Sequence, residues 1–310
     1  MKHIIYITLT LLLLLQGCGS DDTKKASTPE ASQDKTIIDL PIKPLFSRVS
    51  GNIVKEEQSN LYWQDNLEAK TTIKKFSDAQ SHCASLTLDE IDSWRLPTYK
   101  ELLMLVNYKK ETPAVYDTFS NTDSEEYWTT SKRNETQDLY RWTIHFKRGL
   151  VHFQTGAYPL RFSTQHNVRC VSDEFTNKRA KERDFVREGE IVTDNTYNLL
   201  WQDTRESKTI KRSFADSDAY CDNLSLAQYG SGWRIPTTKE LASLINLSND
   251  NPAVANVFVN SAYNDAYWTN DQQAKLESSQ WNINFKDGVI NLSGKNHVSF
   301  NQYVRCVRDK

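Results

Sequence analysis

The chain has 310 residues, a length typical of about two domains. Hydrophobic residues make up 38% of it and charged residues 25%, which fits a folded soluble protein and excludes a disordered chain or a bundle of membrane helices. The net charge of −2 provides no global field that would attract nucleic acid, so we predict no nucleic-acid partner.

Residues 1–17 have the pattern of a secretory signal peptide. Lys2 provides a short basic start, and the apolar run over 4–15 is shorter than the roughly 20 residues that a membrane-spanning helix needs. The small residue Gly17 directly before Cys18 resembles the lipobox of bacterial lipoproteins. That resemblance implies cleavage before the cysteine, its lipidation and a membrane anchor of several acyl chains. A plain secretory signal with an incidental cysteine is the alternative.

Two polar segments are predicted to be solvated. Residues 18–45 are rich in Ser, Thr, Asp, Lys and Pro, which indicates a lipidated tether. Gly19 stands where retention in the inner membrane favours Asp, so the lipoprotein resemblance implies a cell-envelope location at the outer membrane. In residues 173–184 acidic side chains interrupt the basic ones, which favours a linker over a nucleic-acid patch.

The remaining chain consists of two copies of one unit, termed repeat 1 (46–172) and repeat 2 (185–310). At an offset of about 139 residues the distinctive positions align, and all eight tryptophans form four matched pairs. The main matched segments are 60–65 with 198–203, 94–98 with 233–237, 113–115 with 252–254, 127–129 with 267–269, and 168–171 with 304–307. Each repeat is therefore predicted to be one domain.

The five cysteines fit this organisation. Once Cys18 is assigned to lipid, four remain in an oxidising compartment, where disulfides persist. Four cysteines allow three pairings, and the repeat favours the one that stays within each copy, Cys83 with Cys170 and Cys221 with Cys306. Each bridge would close a long loop and stabilise its domain by about 4 kcal/mol.

Two helices are predicted early in each repeat. The first places Cys83 on its apolar face. The second begins at a capping box, in which a threonine and a glutamate three residues later satisfy each other's backbone donors. Thr98 and Glu101 form this pattern in repeat 1, and Thr237 and Glu240 form it in repeat 2.

Strands are predicted after the helices. In repeat 1, Trp142, Ile144 and Phe146 alternate with polar residues, and Gly149 then supplies a hairpin turn, as Gly288 does in repeat 2. The predicted fold class of each repeat is therefore α+β, with two helices and a twisted antiparallel sheet closed by one disulfide.

The set of motifs resembles the Lcl C-terminal domain family. The resemblance is carried by Trp-Arg-Leu-Pro-Thr at 94–98, Tyr-Trp-Thr at 127–129, the tryptophan-centred strand and its glycine turn, and Val-Arg-Cys-Val at 168–171, each matched in repeat 2. The founding member is a collagen-like bacterial adhesin, and many members are domains of unknown function in exported lipoproteins. The family is distantly similar to C-type lectins and formylglycine-generating enzymes. The resemblance implies tandem C-type-lectin-like domains, although a fold does not by itself identify a function.

Arginine and tryptophan side chains recur at the same register in both copies. They could form a sugar-stacking platform, but a duplicated scaffold keeps its core, so we favour structural roles and expect the arginines to pair with nearby acids. The residues concerned are Arg95, Arg169, Arg234 and Arg305, with Glu101 and Glu240 as acids.

No metal site is predicted, because the six histidines lack the spacing of zinc ligands. Asn270 and Asp271 follow Trp268 in an order close to the Trp-Asn-Asp motif of calcium-binding lectins, with one threonine inserted. Repeat 1 has Thr130 and Ser131 instead. Calcium therefore stays an alternative, and we expect no other cofactor.

No catalytic constellation is predicted. The chain contains neither a Gly-x-Ser-x-Gly nucleophile turn nor a phosphate-binding glycine loop. Formylglycine-generating enzymes use a pair of active-site cysteines, whereas here every cysteine is already assigned to lipid or to a disulfide. We predict a protein that is not an enzyme.

Binding residues are predicted in two polar loops, 129–141 and 269–280, because these loops differ between the copies and loops on a rigid scaffold often carry function. A plain solvated loop is the alternative. The candidates are Asn134 and Asp138 in repeat 1 and Asn270, Asp271 and Gln273 in repeat 2.

The leading functional hypothesis is a non-enzymatic envelope lipoprotein, an adhesin that binds a carbohydrate, a matrix polymer or a protein. Two linked weak sites would raise avidity above that of either one. The main alternative is a structural or assembly component of the envelope that binds another membrane protein. An enzyme of the formylglycine-generating type ranks third.

Overall fold

The computed structural model describes residues 43–132, 140–153, 164–173, 183–226, 229–249, 251–273, 275–295 and 300–310. The predicted signal peptide, Cys18 and nearly all of the predicted tether lie outside these residues. In the described part of the chain, no helix is long and apolar enough to cross a membrane.

Repeat 1 begins with a three-stranded meander, continues through three short helices and ends in a hairpin-rich half. Its strands are β1 (Phe46–Arg48), β2 (Ile53–Glu56), β3 (Leu61–Gln64), β4 (Ile73–Lys74), β5 (Trp94–Arg95), β6 (Glu126–Lys132), β7 (Arg141–His145), β8 (Leu150–Phe153), β9 (His166–Asn167) and β10 (Val171–Ser172). Its helices are α1 (Glu68–Thr71), α2 (Phe76–Ala84) and α3 (Tyr99–Met104).

Repeat 2 follows the same order of elements, and isolated bridges replace its shortest strands. Its strands are β11 (Phe185–Glu188), β12 (Ile191–Asp194), β13 (Leu199–Gln202), β14 (Ala266–Gln272), β15 (Ser279–Asn284), β16 (Val289–Gly294) and β17 (Val307–Asp309). Its helices are α4 (Glu206–Thr209), α5 (Phe214–Asp222) and α6 (Thr238–Ser243).

The strands of the described residues form three sheets. Two small sheets are separate, with orders β1-β2-β3-β10-β5 in repeat 1 and β11-β12-β13-β17 in repeat 2. The third contains strands of both repeats, in the order β14-β15-β16-β8-β7-β6-β9-β4. Among the described residues the named strands pair antiparallel except β6 and β9, where Tyr127 faces Asn167 in a parallel bridge, and the isolated bridge between Tyr267 and Tyr303 is also parallel. The fold is thus mixed α and β, as predicted at the level of class.

Local sequence signals account for the helices. Thr98 accepts a hydrogen bond from the Glu101 backbone, and the Glu101 side chain accepts one from the Thr98 backbone. Thr237 and Glu240 form the same reciprocal pair at the start of α6. Both predicted capping boxes are confirmed, and they satisfy backbone donors that a helix start leaves unpaired.

Both disulfides join the residues that the repeat predicted. Cys83 and Cys170 are bonded with a Cα–Cα distance of 5.5 Å, and Cys221 and Cys306 with 5.6 Å. In each repeat the bond ties the second helix to the segment just before the last strand. All four cysteines are fully buried, because each bridge lies within the smaller apolar cluster of its own repeat.

The structure differs from the sequence prediction in the number of helices. The described residues of each repeat contain three helices instead of two, because α1 and α4 are additional single turns of four residues. A turn this short buries one small side chain, Ala69 or Ser207, and so leaves no apolar periodicity to detect.

The two predicted binding loops are also shorter than expected. Strands β6 and β14 run past their tryptophans to Lys132 and Gln272, so the first part of each supposed loop is strand. A shift in register follows Trp128 and Trp268, and this irregularity breaks the alternation of apolar and polar residues. A strand with exposed polar residues at its end therefore has the sequence pattern of a loop.

Arg183 was predicted to lie in a solvated linker, but its side chain is buried. Its guanidinium forms an ion pair with Asp194 and donates to the carbonyl oxygen of Ser243. It also lies over the rings of Phe185 and Tyr197, 4.6 and 4.7 Å from their centroids. The chain is therefore already fixed to repeat 2 at this residue; residues 174–182 lie outside the described part.

The two repeats share one core as well as one sheet. Strands β8 and β16 pair antiparallel through Val151 and Ile290, both fully buried. The largest apolar cluster contains residues of both repeats, including Trp142 and Trp281. The described residues of both repeats accordingly belong to one compact unit.

Candidate functional site

A buried arginine–aspartate pair connects three segments of repeat 1. The guanidinium of Arg169 donates to Asp65 Oδ1 at 3.2 Å, to the Gln64 carbonyl at 2.9 Å and to Thr122 Oγ1 at 2.7 Å. Asp65 also accepts from the backbone N–H of Ser120 at 2.9 Å. Both charged side chains are fully buried, so each one compensates the other's loss of hydration.

Repeat 2 contains the same pair. Arg305 lies 3.2 Å from Asp203 and donates to Ser261 Oγ at 2.8 Å, while Arg187 approaches the other carboxylate oxygen at 3.0 Å. Burial raises the pKa of Asp203, and the nearby cations Arg305 and Arg187 oppose this shift. The expectation that these arginines pair with acids is met, but the acids are Asp65 and Asp203, which the sequence reasoning did not name.

The other predicted pairs involve the capping glutamates. Arg95 makes two hydrogen bonds to Glu101, at 2.9 and 2.7 Å, and Arg234 makes two to Glu240, both at 2.8 Å. Burial alone would raise the pKa of Glu240, but the hydrogen bonds from Arg234 and Thr237 outweigh it and lower the pKa. These pairs connect the segment before each helix, which is strand β5 in repeat 1 and an isolated bridge at Arg234 in repeat 2, to the helix start.

The tryptophans belong to the interior and not to a stacking platform. Each has at most 3% of its surface exposed, which leaves no ring face for a sugar. The eight are Trp63, Trp94, Trp128, Trp142, Trp201, Trp233, Trp268 and Trp281.

A lysine is buried where the repeats meet. Lys239 of repeat 2 is 6% exposed, and its Nζ donates to the Met104 carbonyl at 2.9 Å and to the Tyr116 hydroxyl at 3.0 Å, both in repeat 1. Burial lowers its pKa to about 7, against the opposing effect of the carboxylates of Asp271 and Glu56. Lys239 therefore contributes to the contact between the repeats.

The predicted binding residues have separate environments. Asn270 is exposed on β14, whereas Asp271 accepts from the Thr238 backbone N–H at 2.6 Å and so caps the start of α6. Ser131 holds the matching position in repeat 1 and accepts from the Tyr99 N–H at 2.9 Å. The contact recurs in both copies, which gives Asp271 a structural role.

Gln273 is 2% exposed, and its Oε1 accepts from the Lys275 backbone N–H at 3.3 Å. Asn134 and Asp138 lie outside the described residues. Among the described residues, no group of three or more His, Cys, Asp or Glu side chains could hold a metal ion. A role of the five candidates in binding stays a prediction.

An open cleft lies elsewhere on repeat 2, between α4 and residues 248–249 and 251–263. It has a volume of about 510 Å³, within the range of small-molecule sites. Tyr263 and Val259 line it and are 48% and 54% exposed. The polar side chains of the lining are mainly amides and hydroxyls, together with one lysine. They include Asn249, Asn251, Asn256, Ser248 and Lys208.

Two asparagines organise this cleft. Asn249 Nδ2 donates to Asn256 Oδ1 at 2.8 Å and to the Val254 carbonyl at 2.7 Å. The bond turns the Asn256 amide so that its own N–H groups remain for another acceptor. The exposed side chains of Lys208 and Asn251 make no hydrogen bond within the described part of the chain.

The matching place in repeat 1 has different chemistry. Lys110 stands at the position of Asn249 and Asp117 at that of Asn256, and the two form an ion pair with each other. Ser120 replaces the exposed Val259. The repeats therefore agree in their interiors and differ at this surface.

The cleft is not among the sites predicted from the sequence. Its lining residues include and surround the matched Pro-Ala-Val motif at 252–254, and several of the outer ones change between the copies. A comparison of the repeats position by position outside the predicted loops would have drawn attention to the substitution of an amide pair for an ion pair.

Comparison with protein families adds one finding. The model of the Lcl C-terminal domain matches the chain twice, over residues 52–172 and 190–308. No curated protein sequence matches the chain. The two matched ranges coincide with the two disulfide-closed halves of the structure.

Proposed function

The chain belongs to the Lcl C-terminal domain family, and we propose that it is a lipid-anchored, non-enzymatic binding protein of the bacterial cell envelope. In this proposal Cys18 carries the anchor at the outer membrane, and residues 19–45 hold the paired repeats away from the lipid surface. Each repeat is proposed to have a C-type-lectin-like fold. The ligand is a carbohydrate, a matrix polymer or a protein, as for an adhesin.

One observation carries the proposal. The buried charged pairs recur at matched positions in both repeats, whereas the cleft of repeat 2 has no chemical counterpart in repeat 1. Groups that recur in the interior maintain a scaffold, and a surface that diverges between two copies of one scaffold is where a specific ligand can be recognised.

The test is a binding survey with the full chain purified in detergent. The protein is applied to an array of glycans and to surfaces coated with matrix proteins. A control that contains the anchor and the tether but neither repeat is applied in the same way. Specific retention on one ligand class is expected. Absence of retention on every glycan and matrix protein would contradict the proposal.

A second candidate function, a component of envelope assembly, is favoured by exposed apolar residues in repeat 1. Leu67 is 66% exposed and Ile73 is 53% exposed, on either side of α1. Repeat 2 has Arg205 and Lys211 at the matching positions. Exposed apolar side chains at one place suit contact with another protein.

Crosslinking in intact membranes tests this second function. A photoreactive residue at position 67 should capture one defined envelope protein, and the same residue at position 205 serves as the matched control. Equal capture at both positions, or none at position 67, would count against it.

A further inference from the structure

The cleft of repeat 2 offers both hydrogen-bond donors and hydrogen-bond acceptors but carries little charge. Amides supply paired donors and acceptors, and the amide of Asn256 is oriented by Asn249 Nδ2 at 2.8 Å. Among the described residues that line the cleft, Lys208 is the one charged side chain. A polyanion such as a sulfated polysaccharide needs several cations in a row, so this lining favours an uncharged ligand rich in hydroxyl groups.

An exposed aromatic ring lies beside these amides. Tyr263 lines the cleft with nearly half of its surface exposed, and the apolar Val259 lies with it. A tyrosine presents a large apolar face at low conformational cost together with a polar end. Such a face suits the C–H side of a pyranose ring, while the amides suit its hydroxyl edge.

Repeat 1 cannot offer the same surface. Its Lys110 and Asp117 neutralise each other in an ion pair at the positions of Asn249 and Asn256. An uncharged ligand gains little binding free energy by displacing such a pair. The asymmetry therefore limits recognition of this kind to one site per chain.

We propose that the cleft formed by Lys208, Asn249, Asn251, Asn256, Val259 and Tyr263 binds one uncharged oligosaccharide per chain. This inference rests on the proposed binding function and names its site and ligand class. The expected stoichiometry is one, although the chain contains two repeats.

The experiment uses the full chain in detergent and titration calorimetry. The probes are maltotetraose, cellotetraose, mannotetraose and the tetramer of N-acetylglucosamine, with heparin as the polyanionic alternative. We expect one of the uncharged tetramers to bind with a stoichiometry of one. Tyr263→Ala and Asn256→Ala should each weaken binding about fivefold or more, because each removes a contact to the sugar.

Matched variants in repeat 1 provide the controls. The repeat 1 variant Asp117→Ala is the control for Asn256→Ala, and Lys70→Ala is the control for Lys208→Ala. The two repeat 1 variants should leave the affinity unchanged within twofold. All five substituted side chains are exposed, and an unchanged melting temperature establishes that each variant is folded.

Three results would overturn the inference: two equivalent sites per chain, binding of an uncharged tetramer that Tyr263→Ala leaves intact, or binding of heparin alone. Binding of a matrix protein together with no binding of any tetramer would overturn the inference and leave the proposed function standing. No binding of any probe or matrix protein would contradict both.

Discussion

Val151 and Ile290 occupy the same position in the two repeats, 139 residues apart, and face each other as antiparallel partners. When equivalent residues of two copies pair in this way, the contact is self-complementary, as in a twofold-symmetric dimer. The chain is therefore organised like a dimer whose two subunits are covalently joined. The pairing removes two sheet edges that would otherwise expose unpaired backbone groups.

Removal of either disulfide should destabilise both repeats together. Each bridge closes a loop of 87 or 85 residues, so the pair Cys83→Ala and Cys170→Ala should lower the free energy of unfolding by about 4 kcal/mol. Because the repeats share a core, urea unfolding of the variant should still follow one transition. Separate transitions for the two repeats would contradict the shared core.

The stability of the protein should rise with pH because of Lys239. Its pKa is about 7 in the folded protein and near 10.5 when exposed, so the unfolded chain binds more protons between these values. Raising the pH from 7 to 9 should therefore increase the free energy of unfolding by roughly 2 kcal/mol through this group.

Lys239→Met isolates this contribution. The variant should lose that part of the pH dependence in urea titrations at pH 7, 8 and 9, while Lys100→Met at the partly exposed matching position should keep it. An identical pH dependence in the wild type and Lys239→Met would show that the buried amine does not titrate in this range.

The two hairpin glycines should differ in their tolerance of alanine. Both have positive φ, +81° at Gly149 and +82° at Gly288, which strains any residue with a Cβ. A Cβ at Gly149 would overlap Val106 Cγ1, whereas one at Gly288 would lie 3.1 Å from Ile245 Cγ2. Thermal unfolding should show a loss of about 3 kcal/mol for Gly149→Ala and a smaller loss for Gly288→Ala. The reverse order would contradict the packing around these turns.

Loss of a buried aspartate should be costly in either repeat. Asp65→Ala and Asp203→Ala each leave an arginine buried without its counter-charge, which should lower the free energy of unfolding by about 4 kcal/mol. Arg187→Ala provides the comparison, because its side chain is 28% exposed and its removal should cost about 1 kcal/mol. Denaturant titrations measure all three, and similar losses for Arg187→Ala and Asp203→Ala would argue against the pair.

The interior of each repeat could be predicted from sequence because its signals are local or duplicated. Capping boxes depend on residues three positions apart, and the disulfide pairing follows from two copies with two cysteines each. The partners of Arg169 and Arg305 could not be predicted, because Asp65 and Asp203 are about 100 residues away and no short-range spacing connects them.

The contact between the repeats could not be predicted from the sequence either. Val151 and Ile290 lie in short apolar segments that follow the glycine turns, and nothing in either segment identifies the strand that pairs with it. Sequence patterns locate polar loops, whereas the cleft depends on how the segment after α6 passes α4. Its position is a consequence of tertiary packing.

The union of the repeats into one unit is tested most directly by cutting the chain between them. A protease recognition site inserted between residues 176 and 177 allows cleavage under native conditions, and size-exclusion chromatography then reports the mass of the products. We expect the two fragments to elute together at the mass of the intact protein and to unfold in a single transition. Two separate peaks, each a folded half with its own transition, would contradict the shared sheet and core.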